Sequence, residues 1–264
     1  MKYKKYTAFK VLSLFFIIGI FATNYIVYSV KKNIINDIDT QGLISFSPYS
    51  FANTWQTTSY VSGFILLLPG LLLIMLFTNE YTFKTHRQNI IDGLSRHEFI
   101  NVKIMLALIF ALVSSVFVFF SASVFGFASG TDFSLNGIEY VGYFFLKALS
   151  YNMIAVLFSV LLKRTGFATG LFFIYLGAEN LLSQYLVFLS MKLRVNYDMD
   201  AGNLGDYLPM NAADGLLTFP KNMVTSMAKS ILPTDFTWVV IAFAVSYLIL
   251  FYWWSKRKFV NSDL

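Results

Sequence analysis

The chain has no cysteine, which excludes disulfides, thiolate catalysis and thiolate-rich zinc sites. It has two histidines, His86 and His97, both in one short stretch, and so offers little for metal catalysis. Charge is scarce as well. Asp, Glu, Lys and Arg make up 13% of the residues, whereas a soluble domain runs to about 25%. So few charges cannot cover a water-facing surface, which excludes an ordinary cytosolic enzyme, a nucleic-acid-binding domain and a disordered regulator. No G-x-x-x-x-G-K-[ST] phosphate loop occurs in the 264 residues, so the chain does not bind and hydrolyse ATP by that route.

Apolar residues are abundant. Hydrophobic residues reach 57% and aromatics 19%, with 29 Phe and 16 Tyr, and the mean hydropathy is +0.63. The expected fold is all-α and polytopic, embedded in a lipid bilayer. Six stretches approach or exceed the roughly 20 residues that cross a bilayer as helix: 6–30, 57–77, 103–128, 138–162, 167–189 and 236–254. The first is long for a cleavable signal peptide, and no small-residue cleavage site follows it. It reads as a retained anchor helix. Together they make one transmembrane domain over residues 1–264.

The basic residues set the expected orientation. With the N-terminus cytoplasmic, thirteen Lys and Arg fall on inside segments and six outside, while Lys147 lies within a span; nine acidic residues lie outside against four inside. Only Lys and Arg count in this rule, and their bias places both termini in the cytoplasm. Trp55 and Trp238 begin spans at the outer side, and Trp253 and Trp254 end the last one at the inner side, as an aromatic belt would.

The long outer loop, 190–235, mixes apolar and polar residues and is punctuated by Pro209, Pro220 and Pro233. That pattern predicts short amphipathic or re-entrant helices before the last span; an ordinary structured loop is the alternative. On the inner side, Lys163 and Arg164 belong to a tight turn in which Thr165 is a candidate helix cap.

The inner loop at 78–102 is the most informative. Residues 85–92 suit about two helical turns, and Gly93 suits a left-handed helix end. Ser95 stands three residues before Glu98, a capping box for a helix running directly into the third span. A short helix held off the membrane at the tip of a helical hairpin is a natural docking knob; a solvated loop that merely closes the hairpin is the bland reading.

These residues carry a resemblance. Glu80-Tyr81, Lys84-Thr85 and the string Arg87-Gln88-Asn89-Ile90-Ile91-Asp92-Gly93-Leu94-Ser95-Arg96 resemble the corresponding loop of ABC-2-type transporter permeases, in versions seen in Bacteroidota-like bacteria. FSPYSFANTWQTTSYVSG before the second span and YLPMNAADGLLTFP in the long outer loop are similar to the same subgroup. With six spans, the resemblance covers essentially the whole chain.

It implies the membrane-spanning permease subunit of an ATP-binding cassette exporter in a bacterial cytoplasmic membrane. Such a permease pairs with a second permease chain, as homodimer or heterodimer, and moves a substrate the sequence does not identify. Two separate ATPase subunits would hold ATP and magnesium, with no cofactor on this chain. The coupling role would fall on Arg87, Gln88, Asn89, Ile90, Ile91, Asp92, Gly93 and Leu94, flanked by Glu80 and Arg96. Lys163 and Arg164 would form a second, smaller contact.

Polar residues within spans mark further candidates. Lys147 and Glu179 lie at nearly matched depths, roughly 22 and 20 Å from the inner turn at 1.5 Å rise per residue. Ionisable groups at that depth are costly and are usually paired or functional. An ion pair or a shared polar pocket is expected; alternatively Lys147 snorkels outward, or Glu179 and Asn180 line a translocation path. Asn24 is a candidate interhelical hydrogen bonder. GFASG at 126–130 and GFATG at 166–170 are small-xxx-small patterns suited to a subunit interface, though glycine is common in membrane helices. Pro69-Gly70 should kink the second span.

Two rival functions come from other classes. An intramembrane enzyme needs clustered ligands or a nucleophile with its base at one depth, whereas His86 and His97 sit in the loop and Glu179 is the lone intramembrane acid. An ATP-independent channel or sensor-type immunity protein would more often show regular polar stripes, which the spans lack.

Overall fold

The computed structural model describes residues 7–30, 32, 47–220 and 233–262. Every regular element among them is helical: α1 (Thr7–Val30), α2 (Phe51–Gly63), α3 (Leu67–Thr82), α4 (Thr85–Ile91), α5 (Arg96–Ala128), α6 (Glu139–Leu162), α7 (Thr165–Tyr197), a 3-10 turn (Leu204–Tyr207), α8 (Asn211–Asp214) and α9 (Thr237–Val260). Five of these, α1, α5, α6, α7 and α9, are long and apolar enough to cross a bilayer, and the bent pair α2–α3 makes up to a sixth. The chain therefore has the helices of a multi-pass membrane protein.

The bundle is organised around α6. It packs against α2, α3, α5, α7 and α9, and every residue from 150 to 160 is buried. Two thirds of its apolar stretch is buried (67%), against 17% in α1, α7 and α9. A helix apolar all round belongs inside a bundle, whereas the other helices present Phe, Leu, Ile and Val outward, as lipid-facing helices do.

The second apolar stretch differs from the single helix expected at 57–77. It consists of α2 and α3, bent by 44°. Proline 69 is responsible: its ring clashes with the carbonyl four residues earlier and it has no N–H to donate there. The break accordingly falls at 64–66, where the amides of Phe64, Ile65 and Leu66 bond three residues back instead of four. α2 also begins six residues before position 57, and its Thr54, Thr57, Thr58, Ser59 and Ser62 are fully buried. These small side chains admit close packing against α1, α5 and α6.

Other boundaries shift too. α5 starts at Arg96 and α7 runs to Tyr197, so the connection after α7 begins eight residues later than 190. Trp55 is completely buried with its indole Nε1–H donated to the Ser134 carbonyl at 2.8 Å, so it is not a belt residue; Trp238 is 84% exposed. Gly126 faces the Phe51 ring, where a Cβ would lie 2.6 Å from its nearest carbon, so this glycine serves packing within the chain and not a subunit interface. Gly166 and Gly170 face open space. Thr165 does not cap α7; its hydroxyl meets that of Thr78 at 2.7 Å.

The connection after α7 turns inward. Gly205 of the 3-10 turn, Met210 just before α8, and Ala212 and Ala213 of α8 are buried, so this segment folds back into the bundle. The remainder of that expectation, over 221–232, lies outside the described residues. Asp200 ties the end of α7 to the start of α9 through the Thr234 hydroxyl and Arg194. The Thr234 hydroxyl, helped by the backbone of Gly202 and Thr234 and by Arg194, holds its carboxyl below the usual range.

Candidate functional site

Two polar assemblies stand out, at the tip of the α3–α5 hairpin and inside the bundle. The tip is built by local sequence. α3 closes at Phe83, whose amide bonds Asn79 O at 2.9 Å, and Lys84 then adopts φ +54°. That left-handed turn reverses the chain into α4. Two bonds end α4, from the Leu94 amide to Asn89 O at 3.0 Å and from the Gly93 amide to Ile90 O at 3.1 Å. With Gly93 at φ +105°, this is the Schellman arrangement that glycine favours. α5 restarts at once through the full capping box: Ser95 Oγ accepts from the Glu98 amide, and Glu98 Oε2 accepts from the Ser95 amide at 2.9 Å. The Ser95 hydroxyl, then its backbone amide, holds the Glu98 carboxyl below the usual range.

The knob is fastened at its base by buried charge. Lys103 donates to Glu80 Oε1 at 2.6 Å, joining the end of α3 to the first turns of α5. The Lys103 ammonium also lies 5.6 and 5.1 Å from the ring centres of Phe77 and Phe99, favourable cation–π placements. His86 is buried with Nδ1 2.9 Å from the Glu80 carbonyl oxygen. A carbonyl only accepts, so Nδ1 carries the proton. The His86 ring rests 4.6 Å from that of Tyr81, and Lys163 Nζ lies 5.7 Å from the Tyr81 ring centre. Arg96 donates to the carbonyls of Val260 and Ser262 at 2.9 and 3.0 Å, fixing the tip to the end of α9.

The anticipated coupling residues thus divide into two groups. Arg87, Gln88, Ile91, Asp92, Gly93 and Arg164 are exposed; Asn89, Ile90, Leu94, Arg96 and Lys163 are half-buried; Glu80 is buried. Ile91 is 80% exposed and Phe83, which sequence reasoning passed over, 73%. Ile91, next to Asp92 and one turn from Arg87 on α4, and Phe83, at the end of α3, are exposed apolar side chains of the kind that mark contact surfaces. The fastening by Lys103 and His86 was also missed. The available signal was spacing, since Glu80 and Lys103 flank Gly93 at comparable distances on the two arms of a hairpin.

The second assembly lies within the bundle. Lys147 does not pair with Glu179. Its Nζ is 3.2 Å from Asp214 Oδ1, and Asp214 Oδ2 accepts from the Tyr151 hydroxyl at 3.1 Å. Glu179 Oε1 instead accepts from the amides of Met210 and Asn211 at 2.5 and 2.9 Å and from Asn211 Nδ2 at 3.2 Å. Both groups nevertheless line one cavity of about 380 Å³, together with Asn180, Asn211 and Asp214. The segment that folds back into the bundle separates the two charges by inserting Asp214 against one and the Met210 and Asn211 amides against the other. Asn180 is exposed at the edge. Asn24, fully buried on α1, donates to Ser62 Oγ at 3.0 Å and accepts from the Tyr49 hydroxyl at 3.1 Å.

No protein-family model matches the chain, and no curated protein matches it.

Proposed function

We propose that the chain is the membrane-spanning permease subunit of an ABC-2-type ATP-binding cassette exporter. It spans a bacterial cytoplasmic membrane six times, with α2–α3 as one broken span and both termini inside. A second permease chain completes the translocation path. Separate ATPase subunits, which hold the ATP and magnesium, dock on α4 and its flanks. The observation that carries this reading is the α4 knob. It displays Arg87, Ile91 and Asp92, and a buried ion pair fastens it to the arm that enters the bilayer.

The resemblance of the Arg87–Arg96 string to permease coupling loops supports the same assignment. Charge supports the orientation, because the knob, the Lys163–Arg164 turn and the Lys256, Arg257 and Lys258 cluster share one end of the bundle. Mechanically, α4 is joined to α5 by the Gly93 stop and the Ser95–Glu98 box with no flexible spacer. Displacement of α4 by a partner is therefore passed to α5 as a lever motion.

The test is co-purification from the native host. The full chain should bring down a phosphate-loop ATPase. Replacing Arg87 and Asp92 together by Ala should release that ATPase or abolish its stimulated hydrolysis while leaving the permease in the membrane. Unchanged co-purification and unchanged hydrolysis would sink the proposal.

A further inference from the structure

The internal cavity carries unbalanced charge. Its acidic and basic side chains are Lys147, Asp214 and Glu179, beside the Tyr151 phenol. The lysine is engaged by Asp214 at 3.2 Å. Glu179 is 7% exposed, and the donors on its Oε1 are neutral N–H groups. The cavity therefore holds one carboxylate more than it holds cations, in surroundings where an uncompensated charge is costly.

The uncharged part of the wall combines the polar side chains of Tyr151, Asn180 and Asn211 with an apolar side formed by Phe64, Leu67, Phe173 and Leu176. Phe64 and Phe173 are 65% and 46% exposed, so they bound a mouth on the flank of the bundle between the α2–α3 break and α7. Lys147 lies eight residues into α6, or about 12 Å from its start at Glu139. At that depth the mouth opens toward lipid, not water. Gly177 keeps the wall clear, since nothing lies within 4 Å of the place its Cβ would take.

From this geometry we infer that the cavity binds a lipophilic organic cation, entering from the bilayer, with its charge against Glu179 and its apolar body along Phe64, Phe173 and Leu176. Carboxylate attraction and the aromatic faces at the mouth both favour a cation over a neutral or anionic molecule of equal size. The ammonium headgroup of a lipid and a free hydrophobic cation share this chemistry. Binding requires this chain alone, so it stands or falls separately from the ATPase-driven reading.

The test uses the purified full chain in phosphatidylglycerol nanodiscs. Its probes are radiolabelled tetraphenylphosphonium and the same-shaped anion tetraphenylborate. Saturable binding of the cation only is expected. Glu179→Gln should weaken it about tenfold or more. Gly177→Phe should do the same by filling the wall; it adds a side chain in open space, so an unchanged thermal midpoint shows that the fold persists. Two further nanodiscs, each half phosphatidylglycerol and so of equal surface charge, with phosphatidylethanolamine or an uncharged glycolipid as the other half, separate the two sources: a severalfold lower probe affinity with phosphatidylethanolamine identifies the headgroup ammonium as occupant, and equal affinity identifies a free cation. Absent saturable binding, equal binding of tetraphenylborate, or wild-type binding in both variants would overturn the inference.

Discussion

Among the described residues, Lys103 and Lys147 are buried against carboxylates, and the two settings differ. At the hairpin tip, Lys103 and Glu80 form a short, closed pair under aromatic rings, with side chains 6% and 10% exposed. In the bundle, Lys147 and Asp214 form a looser pair, 11% and 27% exposed, beside a second carboxylate and an open volume. A closed pair of one lysine and one carboxylate, capped by aromatic rings, fixes the geometry of the backbone that carries it. A pair that shares a cavity with an extra acid leaves an interaction unfilled. The first arrangement suits a rivet between two levers, the second a ligand site.

The difference is sharpest when one lysine is removed. Lys103→Met leaves Glu80 buried and alone and should cost about 3–5 kcal/mol. This would appear as a large drop in the thermal midpoint in detergent, and the double variant with Glu80→Gln should recover most of it. Lys147→Met should cost less than half as much, because Asp214 retains the Tyr151 hydroxyl and partial exposure. Equal losses would erase the distinction between rivet and site.

A smaller effect tests the joint between α4 and α5. Gly93→Ala forces a Cβ into φ +105°, at about 1–2 kcal/mol for a left-handed residue. Hydrogen exchange should then quicken across α4 while the amides of α6 stay protected. Smallest is Ser95→Ala, which removes the cap of α5 at about 1 kcal/mol and should show only as faster exchange in the first turn of α5. The same box gives a pH signature. The folded Glu98 carboxyl lies below its ordinary value of 4.5, so its contribution is present above that value and is lost as pH falls through the lower folded one. Protection of the first-turn amides of α5, taken relative to their intrinsic exchange rates at each pH, should fall on acidification in the wild type and change less with pH in Ser95→Ala.

Much of the tip was legible because its signals are local. Gly93, Ser95 and Glu98 act within a few residues of one another, and their conformations follow from short-range hydrogen bonds. The interior was legible only in part. Helical rise placed Lys147 and Glu179 at one depth, and they do line one cavity. But rise along an axis says nothing of a loop that folds back between two helices, so Asp214 and the Met210 and Asn211 amides were not foreseen. Likewise Pro69 announced a bend, yet the bend falls at 64–66, where the missing donor and the ring act. Trp55 shows the limit of composition: an aromatic at a span end fits a belt or a core equally, and long-range contact with Ser134 decides for the core.

The docking role of the knob is tested most directly by photo-crosslinking in the native host. A benzoylphenylalanine is placed at Ile91, 80% exposed on α4, or at Ile174, 69% exposed on α7. The account predicts an adduct between position 91 and a phosphate-loop ATPase, absent from position 174 and lost when Arg87 and Asp92 are replaced by Ala. No ATPase adduct at 91, or an equal yield from 174, would contradict it.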